Sequence, residues 1–232
     1  MTDKSKPAIS NRPGVDKFLQ KVARTPTRRD ALSRLLFGMD ATASREPTWD
    51  RACHLQGQMF ETTASVGNLS VQLCYYRGFN EFKASAWCQS ATSLLQEMSA
   101  VKCLGGYTQI NKILDHAVGE HKRNRLRAVV FVGDALEEDA DRLCHIAGQL
   151  GVLQVPLFMF HEGRDQRVQS VFQQMADLSG GAYAPFDLTS ATELNDLLSA
   201  VAIFATGGKS ALRALTSSAG PVGILTHQLR DL

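Results

Sequence analysis

The sequence predicts an α/β protein: a doubly wound, mostly parallel six-stranded sheet with one antiparallel strand and helices on both faces. Three observations carry this expectation. Strand-length segments alternate with helical patterns of about 10–15 residues, the signature of βαβ crossovers. The longest apolar runs, near Ala128–Val132 and Val152–Phe160, have strand rather than membrane-span length. One hairpin signal, Arg77-Gly78, interrupts the series and implies an antiparallel strand at or near an edge.

The elements follow in order. Residues 1–13 are polar and contain Pro7 and Pro13, the composition of a leader. Val15, Phe18, Leu19 and Val22 then fall at i, i+3, i+4, i+7, the stripe of a short amphipathic helix ending before Pro26. Ser33–Met39 is an apolar strand leading into Asp40. Pro47 suits the first turn of a helix reaching about Glu61. Leu69–Tyr76 and Phe79–Lys83 form the hairpin strands. Helices are expected over Ser90–Val101 and Gln109–Lys122, separated by a Gly105-Gly106 loop. The strand Arg127–Val132, a helix over Glu138–Leu150, the strand Val155–Phe160 and a helix over Gln166–Leu178 come next. A short strand, Ala182–Phe186, precedes a helix over Ala191–Ala205. The division is therefore a basic leader at 1–30, an α/β domain at 31–206 and an extension at 207–232, in which Gly220-Pro221 breaks the chain.

Composition bounds the function. In 232 residues, 44% are hydrophobic and 21% charged, enough to bury a core. The net charge of +2 divides into +5 over residues 1–30 and −3 over the rest. Without a concentrated basic face on the domain, nucleic acid is not the expected partner. No apolar run follows the first lysines and none reaches the ~18 residues of a membrane span. Five cysteines without a CxxC pair fit reduced thiols, so the expected setting is the cytoplasm. Cys53-His54 and Cys144-His145 are adjacent pairs, and adjacent helical side chains point about 100° apart, so neither is expected to hold a metal.

Ligands of open α/β sheets sit beyond the C-terminal strand ends, where strand order reverses. Three segments put oxygen donors there: Asp40-Ala41-Thr42-Ala43-Ser44, Gly105-Gly106-Tyr107-Thr108 and Gly133-Asp134. Asp40 and Asp134 supply charge, whereas Thr42, Ser44 and Thr108 supply neutral oxygens. That set suits magnesium, which usually takes one or two carboxylates, neutral oxygens and water. Few anionic ligands leave the ion electrophilic and open to a further carboxylate. Each residue also has a plain structural role to weigh: Asp40, Ser44 and Thr108 are helix-capping types, and Asp134 is a turn type.

These three segments, read as "LLFGMDATAS", "GGYTQINKIL" and "RAVVFVGDA", resemble the von Willebrand factor A (vWA) family and its metal-ion-dependent adhesion site (MIDAS). A fourth, "MADLSGGAYAPF", resembles that family's Gly-Gly turn into the last strand. The likeness runs from about Ser33 to Ala205, with Thr42 in place of the first Ser of the usual Asp-x-Ser-x-Ser and Ala135 in place of a common Gly. It implies a Rossmann-like sheet and a non-enzymatic protein-protein interaction module. It also implies magnesium or manganese at Asp40, Thr42, Ser44, Thr108 and Asp134, and a partner Asp or Glu completing the coordination. Intracellular bacterial relatives of this type act with AAA+ ATPases in complex assembly, so such an ATPase is the implied partner.

The competing class is a haloacid dehalogenase-like phosphatase. There Asp40 would be the nucleophile, and Gly133-Asp134 to Glu138 the last acidic motif. Thr42 then stands where a second acid is needed, and Lys102, Lys112 and Lys122 have no distinguishing context. Gly207-Gly208-Lys209-Ser210 ends like a P-loop, but position 203 is Ile and the segment follows a helix. Among the remaining aromatics, Tyr75, Tyr76, Phe79 and Phe82 offer an exposed patch for a partner, but strand aromatics usually pack in the core or across strands, and that is the reading preferred. His116 and His121 read as surface residues. Trp49, Tyr107, Arg45 and Glu46 read as the rim of the metal site.

Overall fold

A computed structural model describes residues 21–22, 33–47, 69–186 and 197–207. Six strands form one sheet: β1 (Ser33–Asp40), β2 (Leu69–Arg77), β3 (Glu81–Cys88), β4 (Ala128–Gly133), β5 (Leu157–Glu162) and β6 (Ala182–Phe186). Their order is β3-β2-β1-β4-β5-β6. Only the β2–β3 pair is antiparallel; the other four pairings are parallel. The helices are α1 (Ala91–Ser99), α2 (Ile110–Asn124), α3 (Ala140–Val152) and α4 (Gln166–Ser179), with α5 over 197–207.

Alternate residues of each central strand enter two different cores. Leu35, Phe37, Met39, Val130, Val132 and Phe160 face α1 and α5. Leu36, Val129, Phe131 and Met159 face α2, α3 and α4. Both faces of β1 and β4 are thus covered, which is why those strands lack a polar alternation. Each buried large side chain contributes about 1.5–3 kcal/mol through removal from water. Phe37, Phe131 and Phe160 are fully buried at the centre of this arrangement.

The elements match the sequence expectations, with instructive differences. β3 begins at Glu81 rather than Phe79 and runs to Cys88. Residues 78–80 form the turn, where Gly78 takes a left-handed φ of 59°. The Arg77–Glu81 ion pair, 2.8 Å, closes that turn across the hairpin. α3 begins two residues later than expected, because Asp139 caps it by accepting the Arg142 N–H at 2.8 Å. β5 begins at Leu157 because Val155 is engaged in the preceding turn, its N–H donating to the Leu150 carbonyl at 2.9 Å.

The expected leader, the helix over Pro47–Glu61, Trp49, the Cys53-His54 pair and the extension at 207–232 lie outside the described residues, apart from residues 21–22, 47 and 207. Residues 21–22 are helical, and Val22 is buried in the α1/α5 core. Cys74, Cys88, Cys103 and Cys144 are free thiols. Cys144 is buried whereas His145 points outward and bonds Gln149, so that pair shares no ligand. Among the described residues, no helix is long and apolar enough to cross a membrane.

Candidate metal centre

Strand order reverses between β1 and β4: β1 leads outward to β2 on one side, and β4 begins the run on the other. The crevice beyond their C-terminal ends is therefore the expected ligand position. Asp40 ends β1 and Asp134 follows β4. A Cβ on Gly133 would lie 3.5 Å from the Asp40 Cβ and 2.8 Å from the Phe131 ring, so glycine lets the two strand ends converge.

Asp40 is fully buried. Its Oδ1 accepts the Thr42 N–H at 2.7 Å, and its Oδ2 accepts the Tyr76 hydroxyl proton at 2.9 Å. Burial raises its pKa above the ordinary carboxylate value, and the neighbouring Asp134 charge adds to the rise; the bonds from Thr42 and Tyr76 oppose it. Tyr76 is itself fully buried, stacked on Phe131 with ring centroids 6.3 Å apart. Burial first, and Asp40 second, push its hydroxyl well above the usual tyrosine value. It is therefore a fixed donor to Asp40.

Thr42 and Ser44 flank the start of a single 3-10 turn, Ala43–Arg45, in which the Arg45 N–H donates to the Thr42 carbonyl at 3.0 Å. This turn brings the Thr42 Oγ1 and Ser44 Oγ within 3.1 Å of each other. Thr42 is buried, whereas Ser44 is exposed. The turn thus presents two neighbouring hydroxyls beside the buried carboxylate.

Thr108 arrives on a loop held by backbone contacts on both sides. The Leu104 N–H donates to the Ala41 carbonyl at 3.1 Å, and the Gly78 N–H donates to the Leu104 carbonyl at 3.2 Å. A Cβ on Gly106 would stand 1.9 Å from the Gly78 carbonyl oxygen, so only glycine permits this approach. The sequence suggested Thr108 as a possible cap of α2. Instead the Thr108 N–H donates to Glu137, and the Glu137 N–H donates back to Thr108 Oγ1, each at 2.9 Å. The cap of α2 comes from Glu138, whose carboxylate accepts the Ile110 and Asn111 N–H groups. Burial raises the Glu138 pKa, and those two amide bonds oppose the rise.

Asp134 is half-buried, and its Oδ1 is shielded from water without a hydrogen-bond partner. Asp134 and Asp40 are close enough to interact electrostatically. Orphaned buried carboxylate oxygens are costly unless a cation or donor faces them. Arg45, expected on the rim, is instead almost fully buried and ion-paired with Glu162 at the end of β5. Burial lowers its pKa, opposed first by Asp134 and then by Asp40. Arg45 and Glu162 together carry no net charge, so with Asp40 and Asp134 the cluster has two formal negative charges in excess.

The two carboxylates and three hydroxyls fit a hard, oxygen-preferring ion. Among the described residues there is no cluster of three or more His, Cys, Asp or Glu suited to a metal. The oxygen set at Asp40 differs from such clusters by drawing on Thr and Ser. His116 is half-buried and bonds Gln72 at 2.9 Å, while His121 is partly buried at the far end of α2. The sequence reading missed the buried position of Arg45, the Glu138 cap and the Tyr76 donor. Only Tyr76 had a local signal, an apolar-flanked tyrosine at the end of a strand adjacent to β1.

This strand order, with β3 antiparallel at the edge, is that of a doubly wound Rossmann-like sheet. No protein-family model matches the sequence, and no curated protein sequence does. Similarity appears among solved structures. The SpRpn10 VWA domain superposes with a TM-score of 0.57 at 14% identity, over 72% of this chain and 94% of that one. The vWF domain of the type V pili tip protein Mfa5 from Porphyromonas gingivalis gives 0.59 at 8%, over 75% and 95%. A von Willebrand factor type A structure from Catenulispora acidiphila gives 0.57 at 12%, over 75% of this chain and 43% of that one. At these identities the likeness establishes the fold, in agreement with the vWA resemblance of the sequence.

Proposed function

We propose that this chain is a non-enzymatic protein-binding module dependent on magnesium or manganese. Asp40, Thr42, Ser44, Thr108 and Asp134 hold the metal, and an Asp or Glu of a partner protein completes its shell. When bound, the ion supplies one electrophilic position open to a carboxylate oxygen. The observation that carries this reading is the orphaned Asp134 Oδ1 beside Asp40, whose negative charge is disfavoured by burial and by Asp134. A divalent cation relieves both conditions at once.

The chain's own residues do the positioning. Tyr76 and the Thr42 amide fix the Asp40 carboxylate in one rotamer. The reciprocal Thr108–Glu137 bonds fix the Thr108 hydroxyl. Glu162 pairs with Arg45, which also feels Asp134 and Asp40, so the four charged groups keep a formal excess of two negatives. The fold agrees with that of vWA domains, and the setting taken for it from the cysteine pattern of the sequence is the cytoplasm. An AAA+ ATPase acting in complex assembly is the partner class this reading takes from the family resemblance.

The phosphatase reading has less support. It requires the acid at 138 near the metal, but Glu138 is committed to two helix amides. Calorimetric titration with magnesium and manganese, beside Asp40→Ala/Asp134→Ala and with p-nitrophenyl phosphate offered to both proteins, separates the two. Metal binding by wild type alone without phosphate release supports the module. Phosphate release by wild type alone sinks it.

A further inference from the structure

Five large hydrophobic residues are exposed among the described residues, and three of them, Phe79, Leu104 and Tyr107, share one place. Phe79 is 75% exposed at the tip of the β2–β3 hairpin, and Tyr107 is 59% exposed immediately before Thr108. Their rings meet edge to face, with centroids 5.5 Å apart. Leu104 lies against Gly78 of the same hairpin, 3.1 Å from where a Cβ would stand. The sequence suggested Phe79 as core or strand packing; the structure turns it outward.

Backbone hydrogen bonds tie this patch to the loop that carries Asp40 and Thr42. Leu104 bonds the backbone of Ala41, between Asp40 and Thr42, and also that of Gly78. Gln109 Nε2 donates to the Gly78 carbonyl at 2.9 Å, tying the hairpin to the start of α2. The Phe79–Tyr107 ring contact places two exposed aromatics side by side, the residue type that anchors interfaces.

On its hairpin side the patch's polar border is mainly basic, whereas on the metal side Glu46 lies near Cys103, the neighbour of Leu104. Arg77 donates to the Lys102 carbonyl at 2.7 Å, and Lys112 donates to the Asn80 carbonyl at 3.0 Å. Lys83 lies on the adjoining strand, and Glu81, which pairs with both Arg77 and Lys83, is the acid among them. On the opposite side of Thr108, Glu137 and Glu138 are occupied by backbone amides. Such a border complements an acidic partner.

We infer that Phe79, Leu104 and Tyr107 form a docking shelf for a large apolar side chain next to the partner's metal-binding carboxylate. The recognised element is thus an acidic segment of another protein with Leu, Phe or a similar residue within a position or two of its Asp or Glu. This rests on the carboxylate-capture reading and adds sequence selectivity to it. The carboxylate provides metal dependence, and the shelf discriminates among carboxylates.

The test uses the full chain and two sets of synthetic acidic nonapeptides, with either Leu/Phe or Ser flanking a central Asp, followed by fluorescence anisotropy with magnesium or EDTA. Wild type is expected to favour the Leu/Phe set by at least tenfold in magnesium, about 1.4 kcal/mol. Phe79→Ala/Tyr107→Ala is expected to lose that margin while binding manganese as wild type does. Both positions are exposed, and a circular dichroism melt checks that the variant folds. If both sets bind equally in magnesium, or the margin survives the double substitution, the shelf is overturned while carboxylate capture stands. If neither set binds, or both bind equally in EDTA, capture fails and the shelf with it. If the substitutions dissolve a dimer seen by sedimentation, the occupant is a second copy and the inference is wrong.

Discussion

Gly105 and Gly106 are adjacent, yet alanine should have opposite effects at the two positions. A Cβ on Gly105 meets nothing within 4 Å, and its φ is not left-handed. Gly105→Ala should therefore be neutral or add about 0.4–1 kcal/mol by restricting the unfolded chain. A Cβ on Gly106 would lie 1.9, 2.1 and 2.5 Å from the carbonyl oxygen, carbonyl carbon and Cα of Gly78. All three are backbone atoms, so no side chain can rotate away. Ordinary contact begins at 3.4 Å, so the loop and hairpin must separate by roughly 1.5 Å, an overpacking that typically costs 1–3 kcal/mol. In a domain of this size each kcal/mol lowers Tm by about 2–4 °C, so Gly106→Ala should fall by about 2–12 °C. Thr108 lies two residues on and would be displaced, so manganese binding should weaken in Gly106→Ala alone. Thermal melts and manganese titrations of the two variants give the answer. Equal Tm values would refute the loop packing, and a large loss at Gly105 would refute it more strongly.

Other expectations follow from the same contacts. Asp40→Asn keeps an acceptor for the Thr42 amide and lets Nδ2 donate to the Tyr76 oxygen once that hydroxyl rotates, while removing a buried charge. Because burial raises the Asp40 pKa above its ordinary 3.8, folded protein holds a proton that the unfolded chain releases, and wild-type stability falls as pH rises through that interval. Without metal, Asp40→Asn should then melt above wild type at neutral pH, with the gap closing below pH 3.8, and magnesium should stabilise wild type alone. Glu162→Gln breaks a buried ion pair, which should cost about 3 kcal/mol; by leaving Arg45 to offset Asp40 and Asp134, it should also weaken manganese binding in titration. Glu138→Ala removes the acceptor for two N-terminal amides of α2 and should cost about 1–2 kcal/mol in chemical denaturation.

What the sequence made legible was local. Runs such as Leu35–Met39 and Val129–Val132, apolar on both strand faces, identify central parallel strands, and a carboxylate following each identifies the switch-point crevice. The Gly-Gly turn was also legible: Gly180 caps α4 at a φ of 74°, and a Cβ on Gly181 would strike the Leu157 carbonyl at 2.0 Å. The boundary of β3 was not, because Phe79 reads as a strand residue until the turn at Gly78 carries it outward. Arg45 was misjudged because its partner, Glu162, belongs to the end of a distant strand, and burial of a charge depends on such partners. The Glu138 cap of α2 was hidden similarly, as capping rules look to neighbours in sequence whereas this carboxylate crosses from the β4–α3 loop.

The central claim is that Asp40 and Asp134 hold a divalent ion that keeps a position for an incoming carboxylate. Electron paramagnetic resonance of bound manganese in oxygen-17 water counts the coordinated waters directly, before and after an acidic peptide is added. The account predicts one manganese per chain with several bound waters, loss of at least one on adding the peptide, and no bound signal in Asp40→Ala/Asp134→Ala. A bound-manganese signal that persists in that double variant, or a water count unmoved by a peptide that binds, would contradict it.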